Sequence, residues 1–399
     1  MNKLPAGSLE GIIVVDASRV LAGPFSGQIL GDHGAEVIKV ESFEGDDTRA
    51  YGPPFVDDSA PYYLGLNRNK KDIAVDLGSV RGIELLFSFL EAADVFIENF
   101  KMSTWRKWGV TDLAEIGRRF PRLIHCRISG FGEEGEYGGL PGYDAALQAM
   151  SGLMSINGEP EVDATRVGIP LVDTCTGMYG AMGILLALVE RNRSGKGQMI
   201  EVTLYDTALA MLHPHVSNVL YGGKAVRTGN GHPNIVPYDL FPTATVKLFV
   251  AIGNDRQFAT LARELGDPGL SENELYKTNR DRVKHRDTLR PRLCQLLSTH
   301  DGLELFGRLM SLGVPCAPVL TVEQALALDH TRMRNMCAEL GTYKGAGIPV
   351  KLDRTPGTIR LPPPKIGEHS EAVLARLGYG KNEISDLLTA GVVRQSLTN

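Results

Sequence analysis

Long apolar runs are missing from this sequence. No stretch approaches the ~20 consecutive apolar residues that a membrane-spanning helix needs. The N-terminal run Ile12–Val15 is too short for a signal-peptide core. Excess positive charge is missing as well. There are 42 Lys and Arg against 47 Asp and Glu, a formal charge of −5, so the composition provides no basic face of the kind nucleic acid requires. Cysteine is scarce. Cys126, Cys175, Cys294, Cys316 and Cys337 are odd in number and show no CxxC spacing. That usage fits free thiols in a reducing compartment, argues against a structural zinc site, and leads us to expect a cytoplasmic protein with neither a membrane nor a nucleic-acid partner.

Several catalytic signatures are also absent. The turn after the first apolar run reads SRVLAGPFSG, with neither G-x-G-x-x-G nor a P-loop lysine, which argues against a nicotinamide oxidoreductase. No G-x-S-x-G elbow offers a serine nucleophile. His213 and His215 in LHPHVS stand i,i+2 around a proline, which is not a helical metal pair, and no third ligand suggests itself, so no metal is expected. Internal repeats and low-complexity tracts are lacking too.

What is present is alternation. GIIVVDAS reads as a buried strand, AGPFSGQILGDHG as a helix ending at Gly34, and AEVIKVE as a second strand, a βαβ unit that implies a parallel sheet. KDIAVDL, a helix near 80–93, DVFIENF, a helix near 113–120 and RLIHCRISGFG continue the pattern. The expected fold class is α/β, with a doubly wound large domain. A chain of 399 residues exceeds one ordinary core. From about Lys224 the texture becomes rich in Gly, Pro and Asn, then strand-like in TVKLFVAIGND and helical to about residue 312. The expected domains are therefore 1–224, a smaller α+β domain at 225–325, and a C-terminal segment, 326–399, that returns to the first.

Two features bear on chemistry. Arg19, Lys39, Arg68, Lys70, Lys71, Lys101, Arg106 and Lys107 are assigned to the ends of βα units. Ligands of open α/β sheets bind at the carboxyl ends of strands. Taken singly each is a solvated charge; as a set they favour a polyanionic ligand. The second feature is GIPLVDTCTGMYGAMGILLAL, residues 168–188, read as a strand-like run, the single acid Asp173, and a helix apolar on all sides that belongs in a core. Asp173 is then either an ordinary N-cap or a nucleophile that the helix N-terminus keeps ionised. Gly177, Gly180 and Gly183 would let neighbouring backbone approach that helix.

VVDASRVLAGPFSGQILGDHGAEVIKVE, GDDTRAYGPPF, LNRNKKDIAVDL, ADVFIENF, RLIHCRISGFGEEGEYGGLPGYDAALQAMSGLMSINGEP, VDTCTGMYGAMGILLAL, SGKGQMIEVTLYD, GNGHPNIVPYDLFPTA and GVPCAPV follow one another along nearly the whole chain. In this order they resemble the class III CoA-transferases, the formyl-CoA transferase and carnitine CoA-transferase family. The resemblance implies a Rossmann-like large domain, a small domain and an interlocked homodimer. It also implies coenzyme A or acyl-CoA as the substrate, a free carboxylic acid as acceptor, and covalent aspartyl intermediates on Asp173. A short dicarboxylic acyl-CoA such as succinyl-CoA is the expected donor.

For CoA, the resemblance carries over Arg19, Val20, Leu21 and Ala22 after the first strand, Leu66, Asn67, Arg68 and Asn69, then Asn99, Phe100 and Lys101, and Lys107. Lys39, from the basic set, is added to them. Gly229 and Gly231 stand in the counterpart of a mobile glycine-rich loop over the nucleophile. Leu21 replaces a glutamine that assists catalysis in formyl-CoA transferase, and Ser42 replaces a CoA-binding arginine; both departures weigh against oxalate and against a CoA contact at Ser42. The fold is shared with α-methylacyl-CoA racemase, whose G-H-D motif here reads GYD. Tyr143, with a reference pKa of about 10, is a poor base at neutral pH, which favours transfer over racemisation. A non-catalytic CoA-binding protein is the remaining alternative.

Overall fold

The computed structural model describes residues 7–396. They form two compact units, one comprising residues up to 151, 168–212 and those from 329 on, the other comprising 152–167 and 213–328. The longer stretch of the second unit thus starts at His213, where residue 225 was expected, and the unit also includes 152–167, a segment expected in the first. The change of texture near Lys224 marks a loop inside the second unit, not its edge.

The first unit is built on six parallel strands: β1 (Ile13–Asp16), β2 (Glu36–Glu41), β3 (Lys70–Val75), β4 (Val95–Glu98), β5 (Ile124–Ser129) and β6 (Met199–Thr203). Their order is β3-β2-β1-β4-β5-β6, and the short strand Val393–Arg394 pairs antiparallel with β3. This strand therefore covers an edge that would otherwise present unpaired backbone groups. β1 to β4 are buried almost throughout, as strands of a parallel sheet covered on both faces should be. The core on one face joins Val15, Ile38, Val40, Ile73, Leu86, Phe89, Phe96 and Trp105 with Val373, Leu374 and Val392 from the C-terminal segment.

Four helices matter for the site: α1 (Ala22–Asp32), α2 (Val80–Ala92), α3 (Asp144–Met150) and α4 (Leu171–Ser194). α2 starts where the Ser79 hydroxyl accepts the Gly82 N–H, a regular cap. α4 corrects three expectations. Residues 168–170 form no strand, and the helix begins at Leu171. Its 24 residues are long and apolar enough to cross a membrane, yet one side of it packs on α1, β5 and β6. It is also not buried on all sides: Met178, Met182, Leu185, Leu186 and Val189 are 40–64% exposed. Residues 178, 182, 185 and 189 recur at helical spacing and so form one stripe. On the opposite side the glycines act as expected. A Cβ at Gly177 would lie 2.6 Å from the Ala22 carbonyl oxygen, and one at Gly180 2.6 Å from Ser26 Oγ. The Ser26 hydroxyl uses this proximity to donate to the Gly177 carbonyl at 2.7 Å. With residue 177 against 22 and 180 against 26, α1 and α4 run parallel, the start of α1 lying against Gly177, six residues past the start of α4.

The second unit contains an antiparallel sheet of Tyr238–Pro242, Lys247–Ala251 and Cys316–Pro318. The helices Asp255–Glu264, Arg286–Leu297 and Gly302–Ser311 contribute Phe258, Leu261, Leu289, Leu293 and Leu305 to a core around Phe241, Leu248 and Val250.

Candidate active site

The strand order reverses between β1 and β4, whose carboxyl ends adjoin although β2 and β3 intervene in sequence. Such a switch point opens a crevice between the two outgoing loops. Here the loops are clipped together: the Arg19 N–H donates to Asn99 Oδ1 at 3.1 Å, and Asn99 Nδ2 returns a bond to the Arg19 carbonyl at 2.9 Å. Arg19, Asn99 and Lys101 are exposed, and Val20 and Phe100 partly so. Leu21 and Ala22 are buried at the start of α1. Lys107 is exposed on the helix Met102–Lys107 that follows β4.

Asp173 lies in the first turn of α4, about one turn ahead of Gly177, which packs on Ala22 at the start of α1. It is not the N-cap, a position Pro170 occupies without a side-chain bond. The cap comes from another helix. Asp144 Oδ2 accepts the N–H of Val172 at 2.7 Å and of Asp173 at 3.0 Å, while Asp144 Oδ1 accepts from Gln148 at 2.6 Å. The acid is therefore not held ionised as expected. Burial, and secondly the negative charge of Asp144, push the Asp173 carboxyl up to about 7. A carboxylate titrating near neutrality is more basic than an ordinary Asp yet still available at physiological pH. Two residues on, burial and Asp144 raise the Cys175 thiol, so the neighbouring sulfur stays protonated.

Burial, and then Asp173 and Asp144, push the Tyr62 phenol up to about 12, keeping it a neutral hydroxyl beside the two acids. Tyr62 meets Tyr51 edge to face, with ring centroids 5.5 Å apart. Tyr143 is 64% exposed at the start of α3, so simple packing does not explain it. Asp144 and Tyr62 were not singled out from sequence. Asp144 lies within the quoted GYDAAL, where an acid opening a helix was a visible signal, but its partner is 28 residues away.

Other expected CoA contacts fall elsewhere. Lys39 is fully buried: its ammonium pairs with Asp46 at 3.3 Å and Glu41 at 3.8 Å and donates to the Ser18 carbonyl at 3.1 Å. It cannot reach a ligand without abandoning these partners. Arg68, Lys70 and Lys71 stand at the amino end of β3, not the carboxyl end. The Arg68 guanidinium is bound to Asp32 at 2.7 Å, to the Tyr343 hydroxyl at 3.1 Å and to the Ala346 carbonyl. Asn69 bonds to Asp32 and Thr358 and accepts from Arg360 and Leu361; Asn67 bonds to the Tyr63 carbonyl and to Lys70. This segment ties the C-terminal part of the chain to α1, and only Leu66 of the four remains partly exposed.

In the second unit the loop at Gly229–His232 lies over segment 152–167. The Gly229 N–H donates to the Gly158 carbonyl at 3.1 Å, and the φ of Gly229 is +58°. The positive φ favours glycine there, whereas the nearby Glu159 carboxylate ends an exposed side chain that could move aside. Gly231 shows no such conformational demand. Among the described residues no cluster of three or more His, Cys, Asp and Glu is arranged for a metal.

Residues 9–370 match the profile described as CoA-transferase family III. The chain belongs to that family. It is 40% identical to the succinate–glutarate CoA-transferase of Agrobacterium fabrum, over 92% of this chain and 95% of that protein. It is 38% identical to the succinyl-CoA:glutarate CoA-transferase of Homo sapiens, over 98% and 91%. Among solved structures, a CAIB/BAIF family protein from Brucella suis superimposes with a TM-score of 0.83 and 38% identity, covering 93% of this chain and 100% of that one. As a CoA-transferase the protein is an enzyme that moves CoA between an acyl-CoA and a carboxylic acid, which sets aside the racemase and the non-catalytic alternatives.

Proposed function

We propose that this CoA-transferase works through covalent intermediates on Asp173, with CoA seated at the switch-point crevice. The observation that carries this reading is the placing of Asp173 in the first turn of α4, its backbone N–H bonded to the carboxylate of Asp144, where burial raises its pKa. Asp173 attacks the thioester carbonyl of the donor, giving a mixed anhydride and CoA thiolate. The thiolate attacks the aspartyl carbonyl of that anhydride, forming an aspartyl-CoA thioester and releasing the donor's acid. The acceptor carboxylate attacks this thioester, again expelling the thiolate, which then attacks the acceptor's acyl carbon and regenerates Asp173. Each step exchanges one activated acyl bond for another, so the thioester energy is not lost to water. Tyr62, a neutral hydroxyl donor close to the acid, is suited to an oxyanion formed there. Arg19 and Lys101 supply positive charge at the crevice mouth for the phosphates.

The donor is a short dicarboxylic acyl-CoA, succinyl-CoA first, and the acceptor a dicarboxylate of similar length such as glutarate. The names of relatives about 40% identical support this choice. A matrix of acyl-CoA donors against free carboxylates, read by mass spectrometry, tests it. Succinyl-CoA with a C5 dicarboxylate should give the highest kcat/KM, and a preference for monocarboxylates would reject it.

The exposed stripe Met178, Met182, Leu185 and Val189 supports a homodimer, since a contiguous apolar surface of this kind marks an interaction site; the interlocking of its chains rests on the family resemblance. Light scattering should give twice the chain mass at micromolar concentration; a folded monomer would reject it. Five free thiols suit the reducing cytoplasm.

A further inference from the structure

Val20 has φ +74°, a left-handed conformation that is rare for any residue but glycine and a genuine outlier for a β-branched one. Such strain persists only where surrounding groups impose it. The groups are identifiable. The carboxylate of Asp46 accepts the Val20 N–H at 3.2 and 3.3 Å and is itself fixed by the N–H and hydroxyl of Thr48 at 3.0 and 2.8 Å. The Lys39 ammonium bridges from Asp46 to the Ser18 carbonyl. One buried ion pair therefore holds both polar sides of the turn between β1 and α1.

The facing loop repeats the arrangement with different residues. Glu98 accepts the Phe100 N–H at 2.6 Å, Arg127 donates to the Phe100 carbonyl at 3.4 Å, and the two charges lie 3.6 Å apart. Both loops that border the crevice are thus held through backbone N–H and C=O by a buried carboxylate–cation pair. Stability alone does not call for this, because buried ion pairs can often be replaced by apolar residues of similar volume without loss. What apolar residues cannot do is accept the Val20 N–H and donate to the Ser18 carbonyl.

We propose that Lys39 and Asp46 are positioning residues for the acyl-CoA, holding the turn Ser18–Val20 in the strained conformation that presents Arg19 and the first turn of α1 to the ligand. The proposal rests on the reading that the switch-point crevice takes CoA. Neither side chain touches the ligand. Their work is done before it binds, as preorganisation.

Steady-state kinetics with acyl-CoA on the full-length enzyme tests this, together with calorimetric binding of CoA. Asp46→Ala should raise KM and Kd for CoA about tenfold, while kcat changes no more than about twofold. Asp46→Asn, which keeps an oxygen for the Val20 N–H, should stay within about threefold of the wild type in all three. Because Asp46→Ala strands the Lys39 charge and threatens folding, the apolar pair Lys39→Met/Asp46→Leu is the companion variant, and it should show the same rise in KM in a folded protein. Unchanged KM in either folded variant overturns the proposal, as does an Asn variant as impaired as the Ala one. Arg19→Ala and Lys101→Ala separate the two readings. If they weaken CoA binding while Asp46→Ala does not, only the positioning role fails; if none of them does, CoA does not bind at this crevice.

Discussion

The carboxylate of Asp144 accepts the backbone N–H of Asp173 at 3.0 Å. The same acid thus builds the first turn of the helix that carries Asp173 and supplies the negative charge that, after burial, raises the Asp173 pKa to about 7. One neighbour thus contributes to both the geometry and the reactivity of this site, with burial the larger cause of the raised pKa.

The two roles separate in Asp144→Asn. The amide oxygen still accepts the Val172 and Asp173 N–H groups, so the helix start should persist, but the charge is gone. The Asp173 pKa should then fall toward the ordinary carboxylate range. In wild type, kcat/KM should drop about tenfold per pH unit below about 7, as the attacking carboxylate is protonated. In the variant that acid limb should move down by about one unit. An unmoved limb would show that another group controls it.

The raised pKa has a stability consequence of definite sign. Between about pH 4 and 7 the folded protein keeps on Asp173 a proton that the unfolded chain has already lost, so this group's contribution to stability falls as pH rises through that window. Asp173→Asn removes the contribution. It should be more stable than wild type by about 2 kcal/mol above pH 7, allowing for partial exposure, and equal to it near pH 4. Chemical denaturation at pH 4, 6 and 8 reads the difference directly; a variant destabilised at pH 8 would contradict the assignment.

Lys101→Ala and Lys107→Ala should weaken CoA binding without lowering Tm, because both side chains are exposed and one charge-assisted phosphate contact is worth about 1.5–3 kcal/mol. Isothermal calorimetry with free CoA measures it. Unchanged affinity in both would move the CoA groove elsewhere.

The fold was largely legible because strand and helix periodicity in a parallel sheet is a local property. IIVVD, EVIKVE and VFIE announce themselves as buried strands, and Asp173 stood out as the one acid ahead of an apolar helix. What sequence could not supply was the partner of each charge. Lys39 and Arg68 read as free cations until the sheet brings Asp46, Glu41 and Asp32 against them. Asp173 read as an ionised cap because helix position alone favours the charged form, whereas burial and a second acid 29 residues away outweigh it. α4 read as wholly internal from composition, which does not say which side of a helix the chain itself covers.

The central claim is that Asp173 carries the acyl group and CoA in turn. Wild-type enzyme incubated with succinyl-CoA and quenched with hydroxylamine or borohydride should be modified on the peptide that contains Asp173, and peptide mass spectrometry will locate the change. Asp173→Asn, folded by circular dichroism, should show neither label nor turnover, because an amide cannot form the anhydride. Label on a different acid, or appreciable turnover in the Asn variant, would contradict the account.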